Sequence, residues 1–194
     1  VAKCVRVGDI GAPAAWEAVV KVEAFPINPA DLAMLSGRYG ILPKPPCGIG
    51  MEAAGTILRC GDSVTDLQEG DRVIIIANDN WAQYRKVPAN LLHKIPPSID
   101  CVTAATMKVN MATAYLLLTH FAKWKKGSWI IQNAPLSNVG RMVIQVAKAL
   151  GLRTVNLVRR ENAIQDVLDL GGDVALLPGE GQTDAQRRQL GRAR

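Results

Sequence analysis

The chain is poor in metal ligands. Its 194 residues hold 4 Cys and 2 His. Cys4, Cys47, Cys60 and Cys101 are scattered without a C-x-x-C pair, and His93 and His120 add too little for a four-ligand zinc site. No bound metal is expected, and free thiols in a reducing compartment follow as the default. Long apolar runs are also missing. The longest, residues 111–118, is interrupted by Thr113 and falls far short of the roughly 20 residues of a membrane span. No signal peptide is read before the first predicted strand, so nothing argues for secretion. Two basic groups occur, one at Lys123, Lys125 and Lys126 and one at Arg187, Arg188, Arg192 and Arg194. Neither is interleaved with aromatics as a nucleic-acid platform would be.

What remains is a globular composition, 48% hydrophobic with a net charge of +6. That is ample for one large domain or two small ones. A basic balance without nucleic-acid features fits a small acidic ligand or an acidic carrier, with a generic solvated surface as the plain alternative.

The most informative stretch is residues 128–160. Trp129, Ile130 and Ile131 suit a strand buried on both faces. After a turn at residues 133–138, Val139, Met142, Val143, Val146 and Leu150 recur at three- and four-residue steps. Arg141, Gln145 and Lys148 fall on the opposite side, the pattern of an amphipathic helix. Gly151 stops that helix, and Thr154, Val155, Asn156, Leu157 and Val158 form a second strand. The unit is βαβ with the spacing of a dinucleotide site. Its turn departs from the three-glycine fingerprint, reading Ala134, Ser137 or Asn138, and Gly140. Backbone N–H groups at a helix N-terminus still suit a phosphate, so the turn alone leaves a nucleotide site and a plain packing unit both open. The end of the second strand discriminates. Where an NAD site carries an acidic residue, this chain has Arg159 and Arg160, which suit a 2′-phosphate. NADPH is favoured over NADH, against the plainer reading of a solvated start to the next helix.

Before residue 98 the chain alternates short strands with Gly and Pro turns. Strands are expected at residues 1–7, 18–25, 54–58, 73–77, 81–87 and 91–95, and a short helix starts at Pro29 with Asn28 as its N-cap. This indicates a β-barrel-like first domain. Asp100 caps a helical region, and residues 110–123 read as a helix apolar on most sides, suited to lie between two layers. A helix over 161–170 and a strand over 173–177 follow. A doubly wound sheet has six strands and only three are counted, so a partly represented chain is expected.

Several motifs together carry a family resemblance. I-N-P-A-D at 27–31, S-G-R-Y-G at 36–40, G-D-R-V at 70–73, A-A-T-M-K-V-N-M-A-T-A-Y at 104–115 and I-Q-N-A-P-L-S-N-V-G at 131–140 resemble the zinc-independent medium-chain dehydrogenase/reductases. The nearest branch is the trans-2-enoyl-CoA/ACP reductases of mitochondrial type, with the quinone oxidoreductases next. The resemblance implies an α/β protein: a GroES-like β-barrel domain over residues 1–98, then a truncated Rossmann domain over 99–194, with the active site in the cleft between them. It implies NADPH-dependent reduction of a trans-2-enoyl thioester in fatty acid synthesis. Tyr39 would be the proton donor, and Asn110 and Thr113 cofactor contacts on one helix face. Leu136, Ser137, Asn138 and Val139 would form the pyrophosphate turn, and Arg159 and Arg160 the 2′-phosphate clamp. Met51 stands where zinc relatives keep a ligand His. Asn110-Met111 replaces the usual Asn-Pro, and Asn138 replaces a Gly.

The partners so implied are a small enoyl thioester or quinone and, as an open addition, an acyl carrier protein. No nucleic acid or membrane is implied, and a homodimer is expected where the complete chain exists. The compartment would be the cytoplasm in a bacterium or the mitochondrial matrix in a eukaryote. Rival readings are an NADPH:quinone reductase, which needs no dedicated acid, and a non-catalytic binding module.

Overall fold

The structure is a computed structural model that describes residues 3–6 and 8–177. It divides into two compact units, Val1–Val109 and Asn110–Arg194.

The first unit is built on a five-stranded antiparallel sheet in the order β4-β1-β2-β3-β5. Its strands are β1 (Glu17–Ala24), β2 (Ala53–Cys60), β3 (Arg72–Ile75), β4 (Tyr84–Pro88) and β5 (Leu92–Lys94). In β1 the expected alternation holds only in the second half, where Lys21 and Glu23 are exposed and Val22 and Ala24 are covered. Ala18, Val19 and Val20 are buried in succession, where the register with β2 breaks between Val19 and Val20. Ala18, Val20, Ala53, Ile57, Val73, Ile75, Val87 and Leu92 make the core. Two strand expectations fail. Residues 3–6 form no strand and Val5 is 70% exposed, so that apolar run finds no sheet to join; residues 1, 2 and 7 lie outside the described residues. The stretch 81–87 pairs only from Tyr84, since Trp81 is held in a loop by its indole N–H, which donates to the Pro26 carbonyl at 3.2 Å.

Helix α1 (Pro29–Leu35) begins at Asn28 as expected, with Pro at its first position. Asp31 accepts the Asn28 backbone N–H at 2.8 Å. Helix α2 (Cys101–Ala104) is capped by Asp100, which accepts the Thr103 N–H at 2.8 Å. Cys101, Ala104 and Ala105 pack with Ala54 and Ile95, so the break between units comes later than the change of composition near residue 98.

The second unit opens on α3 (Ala112–Thr119), preceded by a π-helical turn over Met107–Met111 that straddles the division. Within its own unit α3 uses Ala114 and Leu118 against α4 (Asn138–Ala149), leaving Tyr115, Leu116 and Leu117 exposed. The helix also ends at Thr119, four residues before its expected limit. The βαβ unit is present: β6 (Trp129–Asn133), α4 and β7 (Arg153–Leu157), followed by α5 (Ala163–Asp169) and β8 (Val174–Leu176). The three strands are parallel in the order β6-β7-β8. Residues 178–194, including the terminal Arg group, lie outside the described residues.

Among the four free cysteines, Cys4 and Cys47 are exposed and Cys101 is buried. Burial, with the Glu23 carboxylate beside it, pushes the Cys101 thiol up to about 11. Thiolate is the reactive form, so alkylation of the native protein near neutral pH should be fast at Cys4 and Cys47. Cys101 should react only at a pH near 11 or after unfolding. Mass spectrometry of partly alkylated protein reads this directly, and early labelling of Cys101 at pH 7 would refute it.

Candidate functional site

In the second unit the site grows out of strand register. Asn133 pairs with Leu157 in the parallel ladder, so β6 and β7 end side by side. The turn 134–137 leaves the end of β6, and Arg159-Arg160 leaves the end of β7. Parallel sheets collect ligand-binding groups at this carboxyl edge because every crossover starts there.

The turn is tight. Ala134 takes a left-handed conformation at φ 47°, a strain that glycine avoids and the fingerprint usually spares. Ser137 caps α4: its Oγ accepts the Gly140 N–H at 3.1 Å, and its own N–H donates to Ala134 O at 3.0 Å. The N–H groups of Leu136, Asn138 and Val139 make no hydrogen bond within the described residues. Free amides at the start of a 12-residue helix, with the positive end of its dipole, form a donor set for an anion. Gly140 is required for packing. A Cβ there would fall 2.5 Å from Ala134 O and 2.7 Å from Pro135 Cα. The turn therefore matches the fingerprint where helix meets strand, and departs from it where a ligand would approach.

Beneath the turn lies a polar ladder that strand periodicity does not reveal. Gln132 Nε2 donates to Gly140 O at 3.1 Å and to Asn156 Oδ1 at 2.8 Å. Asn156 is fully buried, and its Nδ2 donates to Thr154 Oγ1 and to Val174 O, both at 3.0 Å. The ladder links all three strands to the first turn of α4. The available signal was two amides at matched positions inside otherwise apolar strand runs.

Arg159 and Arg160 are both exposed just beyond β7, where Val158 N–H still donates to Leu176 O at 2.8 Å. The only ion pair among the described residues is Lys94 with Asp71 at 2.7 Å, so neither guanidinium has an ion-pair partner there. Asn110 and Thr113 are not alike: Asn110 is 6% exposed and Thr113 is exposed. The three-residue spacing does not give them a common environment, because Asn110 belongs to the wider π-helical turn and Thr113 to the α-helix after it.

In the first unit Tyr39 is half-buried on the loop after α1, between Gly37 at φ 70° and Gly40. The start of α1 is anchored by a buried polar cluster. Asn28 Nδ2 donates to Glu52 Oε1 at 2.9 Å, Glu52 Oε2 accepts the Val109 N–H at 2.8 Å, and Asp31 Oδ1 accepts the Met51 N–H at 3.1 Å. Lys108 Nζ donates to the Met51 carbonyl. Burial pushes the Glu52 carboxyl up and the Lys108 ammonium down from their ordinary values. Each charge is disfavoured by desolvation and partly restored by the other. No group of three or more His, Cys, Asp or Glu suited to a metal occurs among the described residues.

Gly140→Ala should lower the unfolding free energy by about 1–3 kcal/mol, the usual cost of overpacking against backbone. Denaturant midpoints compare the two proteins, and an unchanged midpoint would contradict the close approach.

Residues 14–97 match the alcohol dehydrogenase GroES-like domain. The chain is 41% identical over 168 residues to the mitochondrial enoyl-acyl-carrier-protein reductase of Rattus norvegicus, covering 83% of this chain and 45% of the relative. The Escherichia coli quinone oxidoreductase complexed with NADPH superposes with a TM-score of 0.82 at 26% identity, over 97% of this chain and 58% of that one. The Etr1p complex with NADP and crotonyl-CoA gives 0.79 at 26% identity, over 88% and 54%. The chain spans about half the length of the curated relatives it matches. With a GroES-like domain in its first half, a parallel nucleotide-type sheet in its second and these relatives, the chain belongs to the medium-chain dehydrogenase/reductase superfamily.

Proposed function

We propose that this chain carries the GroES-like domain and the coenzyme-binding start of an NADPH-dependent enoyl thioester reductase. One observation carries the reading: the amides of Leu136, Asn138 and Val139 and the guanidiniums of Arg159 and Arg160, without hydrogen-bond or ion-pair partners among the described residues, share the carboxyl edge of adjacent parallel strands. A dinucleotide with a 2′-phosphate needs both groups at that edge. The donor set fits: neutral amides at a helix start for the diphosphate, and guanidinium for the added phosphate. Ser137 and the amides around it would hold the diphosphate, and Arg159 and Arg160 the 2′-phosphate. Asn110 and Thr113 are the nicotinamide-side candidates, of which buried Asn110 is the better suited to a fixed contact.

When bound, NADPH supplies hydride to the β-carbon of the substrate. The protein's part is to give a proton to the α-carbon of the resulting enolate, and Tyr39 is the proposed donor. A phenol O–H within reach of the reacting carbon can serve as a general acid. Its loop leaves α1, whose first turn is fixed by the Asp31 and Glu52 hydrogen bonds. The name of the curated relatives, mitochondrial enoyl-acyl-carrier-protein reductase, supports an enoyl thioester with an acyl carrier protein as carrier. Quinone reduction is the second reading, favoured by the likeness to the Escherichia coli quinone oxidoreductase.

Fluorescence titration should give tighter binding of NADPH than of NADH, and replacing Arg159 and Arg160 by Ala should erase that preference. Equal affinities in the unaltered protein would exclude the 2′-phosphate clamp. In the complete enzyme, Tyr39→Phe should depress turnover of crotonyl-CoA by about 10²–10⁴-fold with NADPH affinity kept. Undiminished turnover would remove Tyr39 from the mechanism, and activity confined to quinones would favour the second reading.

A further inference from the structure

Periodicity places Arg141 on the outer face of α4, with Gln145 and Lys148. Its side chain does not extend along that face. Its Nε donates to the Leu136 carbonyl at 3.0 Å, which turns the guanidinium back over the turn that precedes the helix. The residue is exposed and has no acidic partner among the described residues. Both terminal amino groups are left without a hydrogen bond among the described residues.

The turn has a deficit that this group meets. Pro135 supplies no N–H, and the Gly140 N–H is taken by Ser137 Oγ. Ser137 and Asn138 carry side chains where the fingerprint would let backbone approach a diphosphate closely. Three neutral amides remain for a group bearing two negative charges. A guanidinium reaches further than an amide and makes charge-assisted bonds to phosphate oxygens.

We propose that Arg141 is a diphosphate-binding residue, a side-chain clamp that takes the place of donors missing from the turn. This rests on the coenzyme reading above and is separable from it. The diphosphate is common to NADPH and NADH, whereas the 2′-phosphate belongs to NADPH alone. Arg141 must therefore act on both coenzymes equally, and Arg159 and Arg160 on one.

The test is the dissociation constant of each coenzyme, by fluorescence and calorimetry, for the unaltered protein, Arg141→Met, Arg141→Lys and Arg159→Ala. Arg141→Met should weaken both coenzymes by the same factor, about 10-fold or more, as loss of a hydrogen bond to a charged group does. The salt dependence of binding should flatten with it, because a charge has left the interface. Arg141→Lys should recover part of the affinity. Unchanged binding of both coenzymes by a folded Arg141→Met protein overturns the assignment and leaves the coenzyme reading standing. So does weakening of NADPH alone, since that would move Arg141 to the 2′-phosphate. If the unaltered protein binds neither coenzyme, the coenzyme reading fails and the assignment fails with it. Circular dichroism of each variant establishes that the exposed substitution has left the fold intact.

Discussion

The side-chain amide of Gln132 holds the second unit's site in register. It reaches from β6 to the first turn of α4 through Gly140 O and to β7 through Asn156. Asn156 passes the link to β8 through Val174 O. Buried amides are costly unless satisfied, and here each bond satisfies a group that a simple apolar core would leave idle. The strands, the crossover helix and the turn thus have one mutual position. The absence of a Cβ at Gly140 is the steric half of the same constraint.

The first unit uses a charged version of this device. Asp31 and Glu52 are fully buried, and their oxygens accept from Asn28, Met51 and Val109. Lys108 brings a cation to the carbonyl of Met51, beside both carboxylates. Removing these charges from water is unfavourable, as the upward shift of Glu52 and the downward shift of Lys108 record. What the cluster provides is a specific geometry for three separated segments: the entry to α1, the entry to β2 and the π-helical turn. Val109 gives its amide to Glu52 within that turn, where the helical ladder is irregular and a side-chain acceptor is needed.

Charge is distributed with the same economy. The chain carries +6 overall, yet ion pairing among the described residues amounts to Lys94 with Asp71. Arg141, Arg159 and Arg160 are exposed near the carboxyl edge of the parallel sheet. Cations without an ion-pair partner among the described residues repel one another at low ionic strength, a modest cost that an anion at that edge would reverse.

The sequence by itself determined the βαβ unit, the cap at Asn28, the cap at Asp100 and the arginines after β7. Each of these depends on neighbours within a few residues, and local periodicity or capping chemistry reports such neighbours faithfully. The reading of residues 1–7 as a strand fails over the described residues 3–6, because strand pattern says nothing about whether a partner is available. That Asn110 is buried and Thr113 exposed is a difference apolar periodicity does not mark. Tertiary structure alone decided that Gln132 and Asn156 meet, that Glu52 closes on Val109 57 residues away, and that Arg141 folds onto Leu136. These depend on long-range register or on a side chain's choice between solvent and a carbonyl, and neither quantity is carried by a linear pattern.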